Sequence, residues 1–276
     1  MRFRRGPRSS DDWYDIGLAA KWKRDWPTSY DANLRALELL DDTREAAAAW
    51  NLGIAATALG EWATARRAWT AYGITLPEGD GDAPILGDFG VTPVRLNPEP
   101  RFDEPELTVD GVRHRTEVVW ATRLCPARAR IENVPTPETG HRYGDVVLHD
   151  GDSVGERQYG GGTRPVFNEI ALLERSPFST LEVELPPLPH SDLDALSTLF
   201  QDHGLMAEEW STGIVMLCRA CSEGTPSSEH DHGPDDAPDL LRFGLGARPA
   251  DAEALLDEWS RGGTGRAHGP VQLLLA

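Results

Sequence analysis

Apolar positions change their period three times along the chain. From Trp13 to Pro77 they recur at helical spacing, and the segment repeats itself. Tyr14-Asp15-Ile16-Gly17-Leu18-Ala19-Ala20 aligns with Trp50-Asn51-Leu52-Gly53-Ile54-Ala55-Ala56, and Asp25-Trp26 with Glu61-Trp62, at a spacing of 36 residues. Two helical hairpins are predicted, over 13–42 and 46–77. Gly53 predicts close approach of the paired helix, Gly60 a left-handed cap, and Ala65 with Trp69 a small and a large residue on one face. From Glu78 to Pro105, five prolines (Pro84, Pro93, Pro98, Pro100, Pro105) forbid a continuous helix, so 78–110 reads as a connector. Short apolar runs follow at Glu117 to Ala121, Ala129 to Val134, Asp145 to His149 and Val166 to Leu173. Turn residues such as Pro135, Gly140, Gly151 and Gly155 bound them, which predicts a small antiparallel barrel or meander over 111–176. The Gly160-Gly161-Gly162 run reads as a hairpin turn, since no Lys-Ser/Thr follows it as in a phosphate loop.

The last hundred residues alternate between the two periods. Thr180 to Leu185 alternates as a half-buried strand, and Ser191 to His203 carries Leu193, Leu196, Leu199 and Phe200 on one helical face before Gly204. Gly213 to Cys218 reads as a second strand and Leu240 to Leu245 as a third. A helix opened by Pro249 carries the stripe Ala252, Leu255, Leu256 and Trp259, and Val271 to Leu275 closes as a fourth strand. The order βαββαβ is the split βαβ pattern of ferredoxin-like domains, expected over 177–276 with an insertion at 219–238. The fold class is therefore α+β.

The second hairpin resembles the tetratricopeptide repeat family. It carries Leu52-Gly53, the turn glycine Gly60, Ala65, Trp69 and the closing Pro77 in that family's order, within 13–77 only. The first copy departs from it, with Arg24 at the turn glycine, Ser29 at the small alanine and Asp41 where the proline would stand. The resemblance implies a protein-contact role, with Trp50 and Asn51 as candidate partner-binding residues. Two repeats are marginal where about three are usual, so the second hairpin is expected to dock on the rest of the chain.

Charge narrows the partners. A net charge of −18 would repel a phosphate backbone, so nucleic acid is not expected and a basic protein is. The basic start, Arg2 to Arg8 within a flexible 1–12, does not change this. No apolar run reaches the ~20 residues of a membrane helix, and the start Met-Arg-Phe-Arg-Arg lacks the run of a signal peptide, so a cytoplasmic location is expected.

One constellation carries chemistry. Cys218-Arg-Ala-Cys221 is followed by His230-Asp-His232, a ligand set for tetrahedral zinc within fifteen residues. A closed four-ligand site would be structural, whereas three ligands and a water would support a zinc-dependent hydrolytic enzyme. An unliganded acidic loop and a redox pair are the other readings of the same residues. Asp150, Asp152 and Glu156 lack the ligand ladder of a calcium loop. Glu138, His141, Asp145 and His149 read as a solvated surface, and Cys125 as a buried small residue. No nucleophile elbow, His-Glu-x-x-His helix or phosphate loop is present. The expectation is a non-enzymatic interaction protein for a basic partner, in one version an immunity or antitoxin-like protein.

Overall fold

The computed structural model describes residues 9–42, 46–100, 104–211 and 240–276. The chain is mixed α+β: four paired helices, a central five-stranded mixed sheet, and an antiparallel sheet with helices.

The helices are α1 (Ser10–Trp22), α2 (Trp26–Glu38), α3 (Ala47–Leu59) and α4 (Trp62–Tyr72). Ser9 and Asp12 form a reciprocal capping box at the start of α1, satisfying amides that the helix leaves without partners. Asp25 caps α2 by accepting from the Thr28 amide. Gly60 ends α3 at φ 73°, the left-handed cap expected of it. Arg24, at the equivalent turn of the first hairpin, adopts φ 58° despite its Cβ. Both hairpins pinch at a glycine. A Cβ on Gly53 would lie 2.6 Å from the Trp69 ring, and one on Gly17 would lie 2.4 Å from the Asn33 amide. The second hairpin closes on an apolar ring, and the first on a polar relay in which Ser29 Oγ donates to the Gly17 carbonyl.

The central strands are β1 (Val91–Leu96), β2 (Glu117–Arg123), β3 (Arg128–Ile131), β4 (Val146–Tyr159) and β5 (Gly162–Glu174), and they close into a barrel in that order. Two expectations change here. Residues 91–96, assigned to the connector, form β1, with Pro93 facing Trp120 across the pair and Val94 and Leu96 fully buried. Proline density was read as a break, yet extended backbone accommodates proline wherever its missing N–H costs no ladder bond. Nor is the barrel wholly antiparallel, because β1 pairs with β5 in parallel. Four successive reversals leave the fifth strand running as the first did, so closing an odd meander requires one parallel pair. Gly160 and Gly161, at φ 56° and 80°, form the tight turn of the β4–β5 hairpin.

The last sheet holds β6 (Ser179–Leu185), β7 (Met206–Glu209), β8 (Leu241–Ala247) and β9 (Gln272–Leu275) in the order β7-β8-β6-β9, every pair antiparallel. Helices α5 (His190–Asp202) and α6 (Pro249–Arg261) share its core through Leu193, Leu196, Phe200, Leu256 and Trp259. The strand after α5 is Met206–Glu209, directly behind the Gly204 turn. The one expected at Gly213 to Cys218 lies outside the described residues, as does the insertion 219–238. The sheet meets the barrel through a side-chain exchange. Glu208 accepts from the Val134 amide and the Asn133 side chain, Trp210 Nε1 donates to the Val134 carbonyl, and Tyr143 packs where a Cβ on Gly246 would stand.

Candidate functional site: a cleft between the helices and the barrel

Helices and barrel share one core, in which Ile54, Ala65 and Trp69 pack with Ile85, Cys125, Leu148 and Ile170. Cys125 is buried, as its sequence context predicted. Cations pin the same seam. Lys21 at the end of α1 reaches Asp150 of β4, its Nζ 3.1 Å and 3.3 Å from the two carboxylate oxygens, with both residues buried. The buried Arg128 guanidinium of β3 lies 4.7 Å from the Trp62 ring of α4 and donates to the Ile85 carbonyl.

This seam covers part of the expected partner surface. Trp50 stands edge-on to Trp69 and Tyr72, and a Cβ on Gly151 of β4 would be 2.3 Å from its ring. Asn51 is only 3% exposed. Asn51 is thus buried and Trp50 half-buried, its ring against Gly151 of the barrel, on the face that the repeat pattern assigned to a peptide. The four zinc candidates, Cys218, Cys221, His230 and His232, lie outside the described residues. Among the described residues, no three His, Cys, Asp or Glu side chains converge as a bound metal requires.

Beside the Lys21–Asp150 pair, a cleft opens between the α1–α2 turn and the ends of β4 and β5. It is open to solvent on one side and offers about 20 Å³ to the centre of a water-sized group, with Arg24, Glu104, Asp150, Asp152 and Glu169 among its walls. Arg24 donates to the carbonyls of Pro105 and Glu106 at 3.0 Å each. Burial lowers the pKa of its guanidinium, while Glu104 and Glu169 pull the other way. Its positive φ costs on the order of 1 kcal/mol relative to glycine, so the turn trades backbone ease for a guanidinium in the cleft. Asp152 is exposed at the mouth.

Glu169 forms the inner wall and is fully buried. Its Oε2 accepts from the Asn97 amide at 2.9 Å and stands 3.2 Å from His141 Nε2. His141 Nδ1 lies 3.5 Å from Asp145 Oδ2, which also accepts from Arg175 at 2.9 Å. Both histidine contacts are ion pairs rather than aligned hydrogen bonds, since neither ring nitrogen meets a partner at good hydrogen-bonding geometry. Burial alone would depress His141, but the two carboxylates outweigh it and lift its pKa to about 9, so the ring is an imidazolium at neutral pH. Glu169 Oε1 is buried, with no hydrogen-bond partner among the described residues.

Eight residues further on, His149 is also fully buried but differently served. Its Nδ1 donates to the Asp150 carbonyl at 2.8 Å, its ring stacks on Phe167, and Nε2 has no hydrogen-bond partner among the described residues. Burial, with Arg123 adding repulsion, lowers its pKa to about 4, so it stays neutral. His141, Asp145 and His149 are thus interior residues and not the solvated surface expected of them; only Glu138 of that group is exposed. Asp150, which sequence analysis found short of a calcium-loop ligand ladder, pairs with the Lys21 ammonium.

Sequence reasoning missed Lys21, Arg24 and Glu169. A signal existed for two of them. Lys21 is one of only two lysines and ends the small-residue run Gly17-Leu18-Ala19-Ala20, and Glu169 interrupts the apolar run of β5. A charge inside an apolar segment predicts a buried partner.

No family model matches the chain, and no curated protein matches it. Among solved structures, it is similar to a hypothetical protein from Neisseria gonorrhoeae at 8% identity, over 69% of this chain and 99% of that one, with a TM-score of 0.26. A likeness at that level carries no functional argument. No helix among the described residues is long and apolar enough to cross a membrane.

Proposed function

We propose that the chain is a non-enzymatic, cytoplasmic interaction protein whose partner is basic, and that the partner is received at the cleft rather than along the helical hairpins. The observation that carries this reading is the group of carboxylates at the seam of helices and barrel, Glu104, Asp150, Asp152 and Glu169, with Asp152 exposed at its rim. The net charge of −18 supports it, because a long-range negative field speeds encounter with a cation-rich surface.

Two finer readings of the architecture belong with it. The 36-residue offset that pairs Gly17 with Gly53 and Asn33 with Trp69 supports tetratricopeptide-type hairpins, with a first copy closed by polar groups. The strand order β7-β8-β6-β9 with two helices supports a ferredoxin-like last domain. The structural zinc loop at Cys218, Cys221, His230 and His232 rests on sequence alone.

The test is capture of the partner from the native host with full-length protein, followed by binding measurements on the purified pair. The expected partner is basic and loses affinity as salt rises from 50 to 500 mM. Asp152→Lys, on an exposed side chain, is expected to weaken binding by roughly tenfold, mainly through slower association. A partner bound equally by wild type and Asp152→Lys at every salt concentration overturns the proposal.

A further inference from the structure

We propose that the outer edge of β9 is a self-association surface, on which a second copy of this chain adds its own β9 antiparallel to the first. This surface is separate from the cleft, and its use needs no basic partner.

The two edges of the last sheet are built differently. β7 ends one side; it is short, carries Glu208 and Glu209, and is fastened to the barrel through Asn133 and Val134. β9 ends the other side. Among the described residues it pairs with β6 alone, so its outward row of amides and carbonyls has no ladder partner there. Native sheets commonly shield such an edge with charge, with proline inside the strand or with a covering segment. The run from Gly269 to Ala276 is Gly-Pro-Val-Gln-Leu-Leu-Leu-Ala, uncharged in a chain of which 26% is charged. Pro270 stands before the strand, and the single shift of register lies beyond Leu273.

Leu273 is 55% exposed although it stands opposite Leu181, a fully buried residue. Opposed residues of an antiparallel pair share a face, so Leu273 lies on the side of the sheet that α5 and α6 cover. It extends their core past its boundary. Val271, two residues earlier, packs against the same core.

Backbone, charge and symmetry all select a second copy. A row of unpaired strand amides and carbonyls is matched in spacing by another strand. An uncharged edge gains nothing from the cation-rich surfaces that a net charge of −18 attracts, so it favours a strand as neutral as itself. A two-fold axis perpendicular to the sheet makes β9 antiparallel to its own copy and keeps the helices of both copies on one side. The two Leu273 side chains then share a face beside the axis, with no like charges opposed within the strands. The two four-stranded sheets become one. With only four residues in β9, the contact falls below the about 1,200 Å² of a stable complex, so association is weak and depends on concentration. Two chains of −18 also repel each other, and salt should therefore strengthen this contact while it weakens a basic partner at the cleft.

The experiment is sedimentation of the full chain from about 1 to about 500 µM, a range suited to a small interface, in about 50 and about 500 mM salt. The mass is expected to move from monomer to dimer, at lower protein concentration in the higher salt. Leu273→Lys, on an exposed side chain, opposes two ammonium groups near the axis and should weaken the dimer by roughly tenfold or more. Leu86→Lys, at a leucine 65% exposed outside this sheet, should leave it unchanged. Should Leu273→Lys unfold, Leu273→Ser carries the same comparison. Deuterium exchange at residues 272–275 should slow by about threefold or more between dilute and concentrated protein. A monomer at every concentration and salt overturns the proposal, as does a dimer that Leu273→Lys and Leu86→Lys weaken equally. A dimer whose β9 amides exchange as fast as those of the monomer overturns strand addition. Protection of β9 that arises only when another protein is bound gives the edge to that protein and overturns the second copy as its occupant.

Discussion

Two histidines, His141 and His149, are equally buried, yet one is charged and the other neutral. His141 sits between Asp145 and Glu169 and is an imidazolium. His149 has a backbone carbonyl on one side, an aromatic ring on its face and a guanidinium in its neighbourhood, and is neutral. Burial is the same in both cases and pushes both rings towards neutrality. What differs is whether carboxylates are close enough to reverse that push. His141 therefore belongs to a network of matched charges, and His149 to surroundings that keep charge out, with the Lys21–Asp150 pair next to it at the border to the helices.

The largest expected effect comes from breaking that border. Asp150→Asn leaves the Lys21 ammonium buried without its counter-charge, and should cost about 3–5 kcal/mol in chemical denaturation. The double variant Lys21→Met, Asp150→Leu should recover most of the loss, which would show that the cost lies in the orphaned charge. A double variant as unstable as the single one would point to shape instead.

The two histidines themselves should give stability opposite slopes against pH. His141 has a folded pKa of about 9, raised above its ordinary 6.5, so its contribution is complete below pH 6.5 and is lost as pH rises to 9. A shift of that size corresponds to roughly 3 kcal/mol at most. His149 has a folded pKa of about 4, lowered from 6.5, so its contribution is complete above pH 6.5 and fades as pH falls to 4, by a similar amount. Urea midpoints measured across this range should peak near pH 6.5. His141→Gln should flatten only the alkaline limb, and His149→Gln only the acid one; a variant that flattens the wrong limb would reverse the assignment of charge.

The smallest effect separates the cleft from the rest of the seam. Arg24→Gly relieves a left-handed residue and removes two hydrogen bonds to carbonyls, effects of about 1 kcal/mol each and of opposite sign. Denaturation midpoints should move little. A loss above about 2 kcal/mol would mean that Arg24 holds the 104–106 segment in place.

Regular elements were legible wherever one period persisted. The glycine spacing in the hairpins, the alternation in Thr180 to Leu185 and the stripe in α6 each translate into a buried face with a single solution. β1 was hidden because Pro93, Pro98 and Pro100 crowd a short strand, and proline density alone does not separate a connector from a barrel strand. The site was less visible for a different reason. His141, Asp145 and Glu169 are separated by up to 28 residues, and only the closure of β4 on β5 and the loop before β4 bring them together. The burial of Asn51, and in part of Trp50, was not legible because a repeat pattern specifies a helical surface without specifying what covers it.

The parity of the barrel has one last consequence, for the route of the polypeptide. With an even number of antiparallel strands, a closed meander returns the chain to the end where it entered. Five strands, with β1 and β5 side by side and parallel, deliver it to the far end. The helices hold the rim near Arg128 and Asp150, and the last domain is handed over at the opposite rim, beside Asn133, Tyr143 and Ser176. The barrel is thus a one-way passage that keeps its two neighbours apart. Adding or deleting a single strand would instead deliver the chain to the rim that the helices hold.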